Sequence, residues 1–351
     1  MRRAEDAASR LRAPGRAARA LAVVSGAGST EERRMAVLAP PNKRRTLDEL
    51  TERLDPAAGD VGAKRSAFWA MLLLSGVIAV SGVIADSTAT VIGAMIVAPL
   101  STPILGVGFG IATGRGALIV RSIVLVVLGA AVVVAIGFVF AQFLPDPTNV
   151  LSNSQVLGRT SPTLMDLTAA LATGLVGVVA LIRRDVGDVL PGVAIAISLV
   201  PPLGVVGVCL GSDAPDLATG ALILFASNMV AMIITATVVL VATGYAAQPH
   251  GHGRAYTVLA AALILVAAPM TVNSLSSLWA TRISQAARGW LSDLPGAQIS
   301  QVTLHSRTAT VEVLAPSDLP PLADLQRRVD EVVPWRPRVV LVHTVGTRLD
   351  G

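Results

Sequence analysis

The sequence predicts an all-α multi-pass membrane protein of about seven helices, six of them in two inverted three-helix repeats, with a small C-terminal α+β domain. Three observations predict it. Seven apolar runs approach the roughly 20 residues needed to cross a bilayer. The stretch 86–111 (DSTATVIGAMIVAPLSTPILGVGFGI) aligns with 185–210 (DVGDVLPGVAIAISLVPPLGVVGVCL) at an offset of 99 residues. Beyond residue 277 the pattern changes from long apolar runs to short strands and an amphipathic helix.

Composition agrees with the first observation. Of 351 residues 53% are hydrophobic and only 15% charged, whereas soluble domains carry roughly 25% charge. The charges are segregated: 13 Asp, Glu, Lys or Arg lie between Ser66 and Arg254, against 23 in the 65 residues before them. The net charge of +5 does not point to nucleic acid, because four Trp, two Tyr and six Phe offer little for base stacking. The single cysteine, Cys209, excludes an intrachain disulfide and sits in an apolar run, where it reads as a small hydrophobe.

Residues 1–65 read as a basic, mostly disordered cytoplasmic tail, with a short amphipathic helix at 46–54. The run LAVVS at 21–25 is too short for the core of a signal peptide. The transmembrane domain then covers 66–277, with spans near 66–84, 89–111, 117–143, 163–182, 189–210, 217–243 and 255–277. Repeat 1 is 66–143, repeat 2 is 163–243, and the last span is an extra helix. Short cytoplasmic loops are enriched in Lys and Arg. With the tail inside, Lys64, Arg65, Arg115, Arg183, Arg184 and Arg254 all fall on the cytoplasmic side, leaving Arg159 outside. This topology puts the C-terminus outside and, because each repeat holds three spans, inverts one repeat relative to the other.

Residues 278–351 form the small soluble domain. TRISQAARGWLSDL has its apolar positions on one side of a helix. AQISQVTLHS and TATVEVLAP alternate at period two around a turn at Arg307, which predicts a hairpin. PPLADLQRRVDEVV reads as a helix and RVVLVHTV as a strand.

The repeat alignment superposes Asp86 on Asp185, Gly93 on Gly192, Pro103 on Pro202 and Gly108 on Gly207. Inverted repeats with interrupted spans at matching positions point to a transporter-like core. Proline within a helix removes a donor and displaces the carbonyl one turn earlier. Pro99 and Pro103 in the second span, and Pro201 and Pro202 in the fifth, therefore mark two breaks beside the hydroxyls of Ser101, Thr102 and Ser198. In hydrocarbon such breaks must be buried in protein or line a polar cavity. With Asn228 of the sixth span these residues form the candidate substrate site; kinked helices without a ligand are the other reading. Gly93, Gly106, Gly108, Gly110, Gly192, Gly204 and Gly207 read first as points of close helix approach.

Asp86 and Asp185 begin equivalent spans, either as helix N-caps or as gating or proton-coupling carboxylates on opposite faces. Asp166 joins them as an acid at the edge of the fourth span, within reach of Arg159. His250 and His252 make only a weak metal pair, no metal or cofactor site is expected, and no catalytic set can be assembled at the midplane.

The segments IGAMIVAPLSTPILG (92–106), GRTSPTLMDLTAALATGLVG (158–177), GVAIAISLVPPLGVVG (192–207) and LFASN (224–228) resemble the prokaryotic uncharacterised hydrophobic domain family, domain of unknown function number 389. The resemblance covers about residues 66–245 and implies a multi-pass membrane protein. It brings no established substrate or catalytic residue. Many relatives carry a soluble domain ahead of the spans, where this chain has its polar tail.

The expected function is secondary transport of a small solute or ion by alternating access, in a bacterial inner membrane and without enzymatic activity. A membrane sensor or scaffold whose C-terminal domain binds a partner is the alternative, and a channel comes third. Membrane lipids are expected neighbours, nucleic acid is not, and a homo-oligomer is left open.

Overall fold

A computed structural model describes residues 40–144, 151, 153–186, 199–246, 253–292, 294–305, 308–315 and 319–345. Among these are 11 α-helices and one three-stranded sheet. The helices are α1 (Leu47–Leu54), α2 (Val61–Ile84), α3 (Thr88–Val97), α4 (Ser101–Thr113), α5 (Gly116–Ala141), α6 (Ser154–Thr160), α7 (Leu164–Ile182), α8 (Val200–Gly211), α9 (Pro215–Ala242), α10 (Gly253–Trp290) and α11 (Leu322–Val332). Five of them, α2, α5, α7, α9 and α10, are long and apolar enough to cross a membrane. The pair α3 and α4 makes a sixth span if taken together, bent by 49° at the break.

The chain divides into two compact units, Met1–Thr160 with Thr168–Leu263, and Ser161–Leu167 with Ile264–Gly351. In the first, the core is apolar and closely packed, with Leu72, Leu100, Ile104, Phe109, Leu118, Leu203 and Leu240 inaccessible or nearly so. Many side chains on the outside are just as apolar: Val120, Val124, Val127 and Leu128 along α5 are each at least half exposed. A soluble protein would bury such a stripe, whereas lipid leaves it no cost.

The span-bordering segments of this unit gather at two ends. At one end Arg115 donates to Thr51 (2.7 Å), Arg44 to the Thr243 carbonyl (2.9 Å) and Arg184 to Glu49 (2.7 Å). At the other Asn153 donates to the Val83 carbonyl (2.6 Å) and Gln142 to the Gly211 carbonyl (3.3 Å).

Residues 40–60 carry defined structure. Thr46 caps α1, its hydroxyl accepting from Glu49 N–H while the Glu49 carboxylate accepts from Thr46 N–H. This capping box satisfies two backbone donors that a bare helix start leaves open. Leu50 and Leu54 on one face of α1 are buried, Leu54 with its carbonyl close to Gly106 of α4.

In the second unit, β1 (Gln298–His305) and β2 (Thr308–Ala315) pair antiparallel, from Gln298 opposite Leu314 to His305 opposite Thr308, with an irregularity between Ile299 and Gln301. Strand β3 (Arg338–Val345) runs parallel to β2, so β2, α11 and β3 form a β-α-β unit. Ala309, Val311, Val313 and Ala315 alternate inward onto Leu325 and Val329 of α11 and Ile283, Ala287 and Trp290 of α10. The seventh apolar run and the amphipathic stretch after it are one continuous 38-residue helix, α10, with Pro269 inside it. Pro269 takes one backbone donor from the ladder without ending the helix, which continues into the polar half.

Candidate functional site

The first break falls at Ala98–Leu100, where the prolines place it. Pro99 lies in the gap, and Ser101, Thr102 and Pro103 form the first turn of α4. A proline in a first turn removes a donor that has no intrahelical partner anyway. The break therefore costs little at its downstream side. Pro103 and Leu100 are buried, Ser101 is half-buried and Thr102 is exposed.

Of the second expected break only the downstream side falls within the described residues. Pro201 and Pro202 occupy the first positions of α8, matching the role of Pro103, and are buried like every residue from Val200 to Cys209. Ser198, Gly192 and the carbonyls at 197–198 lie outside the described residues, as do His250 and His252. Asn228 is buried within α9.

Thr102, Pro99 and Pro103 line a half-open cavity of about 780 Å³. Its other walls come from α2, α5 and the turn after α1. Ser101, Pro201, Pro202 and Asn228 are not among its lining residues.

The glycines show how the two halves meet. A Cβ on Gly108 of α4 would lie 2.5 Å from Ala236 Cβ and 3.1 Å from the Ile233 carbonyl of α9. A Cβ on Gly207 of α8 would lie 2.8 Å from the Cα of Gly137 and from Phe138 N of α5, with the Val134 carbonyl closer still. Gly106, Gly110 and Gly204 are also tightly opposed, whereas Gly93 has open space around it.

The three acids are each held locally. Asp86 does not cap its own span, since Ser87 takes that place, accepting from Thr90 N–H. Asp86 sits at φ +50° and turns its carboxylate to the start of α6, accepting from the Ser154 hydroxyl (2.7 Å) and Gln155 N–H (3.2 Å). The Ser154 hydrogen bond, foremost, holds the Asp86 carboxyl below its ordinary pKa. Asp185 is exposed and takes two hydrogen bonds from Arg183, at 2.8 and 3.1 Å. The Arg183 guanidinium lowers its pKa to about 2. Asp166 lies in the first turn of α7 and accepts from the backbone N–H (2.7 Å) and hydroxyl (2.8 Å) of Thr163. Arg159 donates to the carbonyl and side chain of Gln155.

A cationic cluster at the Arg-rich end escaped the sequence reading. Arg45 donates to the carbonyls of Leu181 (2.9 Å) and Ala180 (3.3 Å), and its N–H to that of Ile182 (2.8 Å). Arg44 does the same at Thr243, and the Tyr245 hydroxyl donates to the Arg45 carbonyl (2.5 Å). Two guanidinium groups thus cover the last carbonyls of α7 and α9, where unpaired acceptors and the negative dipole end favour positive charge. The paired arginines were visible in the sequence; their partners, 135 to 199 residues away, were not. Among the described residues no group of three or more His, Cys, Asp or Glu could hold a metal ion.

Residues 95–234 match the family model described as Domain of unknown function (DUF389), and this membrane region belongs to that family. Over 214 residues the chain is 30% identical to Uncharacterized protein MJ0678 of Methanocaldococcus jannaschii, covering 60% of this chain and 66% of that protein. The relative is archaeal and lends no support to a bacterial source. No solved structure matches.

Proposed function

We propose that this member of the family is a secondary transporter of a small solute or ion, working by alternating access between two inverted three-span repeats. The crossed glycine contacts carry the reading. Gly108 packs on Ile233, Ala236 and Thr237; the same positions shifted by 99 residues are Gly207 on one side and Val134, Gly137 and Phe138 on the other. Each broken span thus leans on the third span of the opposite repeat, through the equivalent residues. That is the reciprocity expected of a pseudo-two-fold axis, and it supports a topology in which one repeat is upside down. The gathering of Lys43, Arg44, Arg45, Arg115, Arg183 and Arg184 at one end favours that end as cytoplasmic.

The two proline sites differ in exposure. Thr102 is exposed to the cavity, whereas Val200 and Pro201 in the other repeat are buried. Exchange of these two environments between repeats would open the opposite side, which is the motion alternating access requires. The scaffold reading draws on the burial of the whole run Val200–Cys209, since a permanently sealed second break could pass nothing.

Cysteine accessibility separates the two. In a Cys209→Ala background, Thr102→Cys should react with a membrane-impermeant maleimide from the Arg-rich side of oriented vesicles. Val200→Cys should react from the other side. A Val200→Cys that never reacts from either side, in protein whose Thr102→Cys does, would sink the transport reading.

A further inference from the structure

We propose that the cavity beside the first break binds one anionic phospholipid, its headgroup phosphate held by Arg65 and Arg121. The proposal is independent of whether the protein transports. The cavity lining contains four basic side chains, those two with Arg53 and Lys64, against one acid, Asp55. Lys64 is turned inward to the carbonyls of Ala58 (2.7 Å) and Glu52, closing the turn after α1. Asp55 is mostly covered and lies 3.8 Å from Arg121, while the Arg121 side chain keeps 54% of its surface open. Arg53 and Arg65 are exposed as well. The mouth therefore carries more basic than acidic side chains.

Behind this mouth the walls turn apolar, in the same order on two helices. Along α2 the sequence runs Lys64, Arg65, Phe68, Met71; along α5 it runs Arg121, Val124, Leu125, Leu128. At about 1.5 Å per residue the apolar positions extend ~10 Å beyond the charges. Both helices start at the Arg-rich end, where α1 and Arg115 meet. Met71, Val124 and Leu128 are 47 to 50% exposed, so this wall of the cavity is continuous with the lipid-like outer face of the bundle. Positive groups at the rim and an apolar trough leading inward match an amphiphile with an acidic head and an acyl chain. Basic recesses between spans at the cytoplasmic side are where anionic headgroups bind, and Trp69 in the lining suits the headgroup level. A free inorganic anion would use the arginines and leave the trough without a role.

The test uses the full chain, delipidated in a neutral detergent. Its thermal midpoint is followed during titration with phosphatidylglycerol, with phosphatidylcholine of the same acyl chains, or with inorganic phosphate. Phosphatidylglycerol should raise the midpoint by several degrees and the other two by little. The Arg65→Gln, Arg121→Gln double variant should lose most of that shift. So should Val124→Trp, which fills the trough without altering charge, while Arg288→Gln in the C-terminal unit should keep it. An equal response to phosphatidylcholine, or a full response to inorganic phosphate, would overturn the proposal. So would a phosphatidylglycerol shift that survives in both the double variant and Val124→Trp.

Discussion

A methyl group on Gly207 would stand 2.8 Å from the Cα of Gly137, and one on Gly137 would stand 3.0 Å from the Cα of Gly207. Helices α5 and α8 therefore touch backbone to backbone. In lipid, where no hydrophobic force draws helices together, such close approach supplies the packing that holds a bundle. Gly207→Ala must push α8 away from α5, and overpacking of this kind costs about 1–3 kcal/mol. Gly93→Ala meets open space inside α3, and there alanine is favoured over glycine by up to about 1 kcal/mol. The thermal midpoint in detergent should fall for the first variant and hold or rise for the second. A Gly207→Ala protein as stable as the parent would mean that the two helices do not meet at these glycines.

Arg45 ties the segment before α2 to the end of α7. Its side chain covers Leu181 and Ala180 carbonyls at the end of α7, and hydrogen bonds from a charged donor are worth about 1.5–3 kcal/mol when well enclosed. This one is only partly buried, so Arg45→Ala should cost about 1 kcal/mol. The loss should be local. Amide hydrogen exchange of α1 should quicken by roughly tenfold or less, with α5 and α9 protected as before. Tyr245→Phe, which removes only the hydroxyl donating to the Arg45 carbonyl, should show the same pattern more weakly.

Acid should loosen the same segment. Glu49 accepts from Arg184 and from Thr46 N–H, and the Arg184 hydrogen bond, foremost, holds its pKa below the ordinary 4.5. A lowered folded-state pKa means that the contact stabilises fully above the unfolded value and is lost as pH falls through the folded one. The Arg183–Asp185 pair follows the same sign lower down, toward about 2. Exchange at α1 should therefore rise as pH drops below about 4.5, after correction for intrinsic rates, and Glu49→Gln should remove most of that dependence. A Glu49→Gln profile identical to the parent's would place the acid response elsewhere.

Local signals were read from the chain with some success and distant ones were not. The break near Pro99, the short helix at 46–54 and the antiparallel pairing of β1 with β2 follow from residues close to one another in the chain. The role of Arg45 depends on carbonyls 135 and 136 residues away, and no pattern in a single sequence marks a carbonyl at a helix end as reachable. The glycines lie between these cases. Composition marked them as points of close approach, which holds at Gly108 and Gly207 but not at Gly93; only the packing tells them apart. Of the proposed substrate-site residues, Thr102, Pro99 and Pro103 share a cavity and Asn228 lies elsewhere in the core. The cavity itself was unreadable, because its basic mouth joins the turn after α1 to α2 and α5 across 68 residues of chain.

Asp86 offers a separation of charge from shape. Its carboxylate accepts from Ser154 and Gln155 and so fastens the loop before α3 to the start of α6. Asparagine keeps the accepting oxygen and caps a helix start about as well as aspartate, while alanine loses it at a cost of roughly 0.5–2 kcal/mol. If Asp86 serves only to hold α6, Asp86→Asn should match the parent in thermal midpoint and in maleimide labelling of Val200→Cys, and Asp86→Ala should lower the midpoint. If it gates, Asp86→Asn should leave the midpoint unchanged yet shift the labelling of Val200→Cys several-fold, because removal of a charge biases an equilibrium between two states without unfolding either. The hydrogen bonds from Ser154 and Gln155 and the lowered pKa keep this carboxylate ionised through the neutral range. A proton-accepting role would need the opposite shift. The expected outcome is therefore the first, with unchanged labelling in Asp86→Asn; a clear change in labelling at constant midpoint would assign Asp86 to the gate.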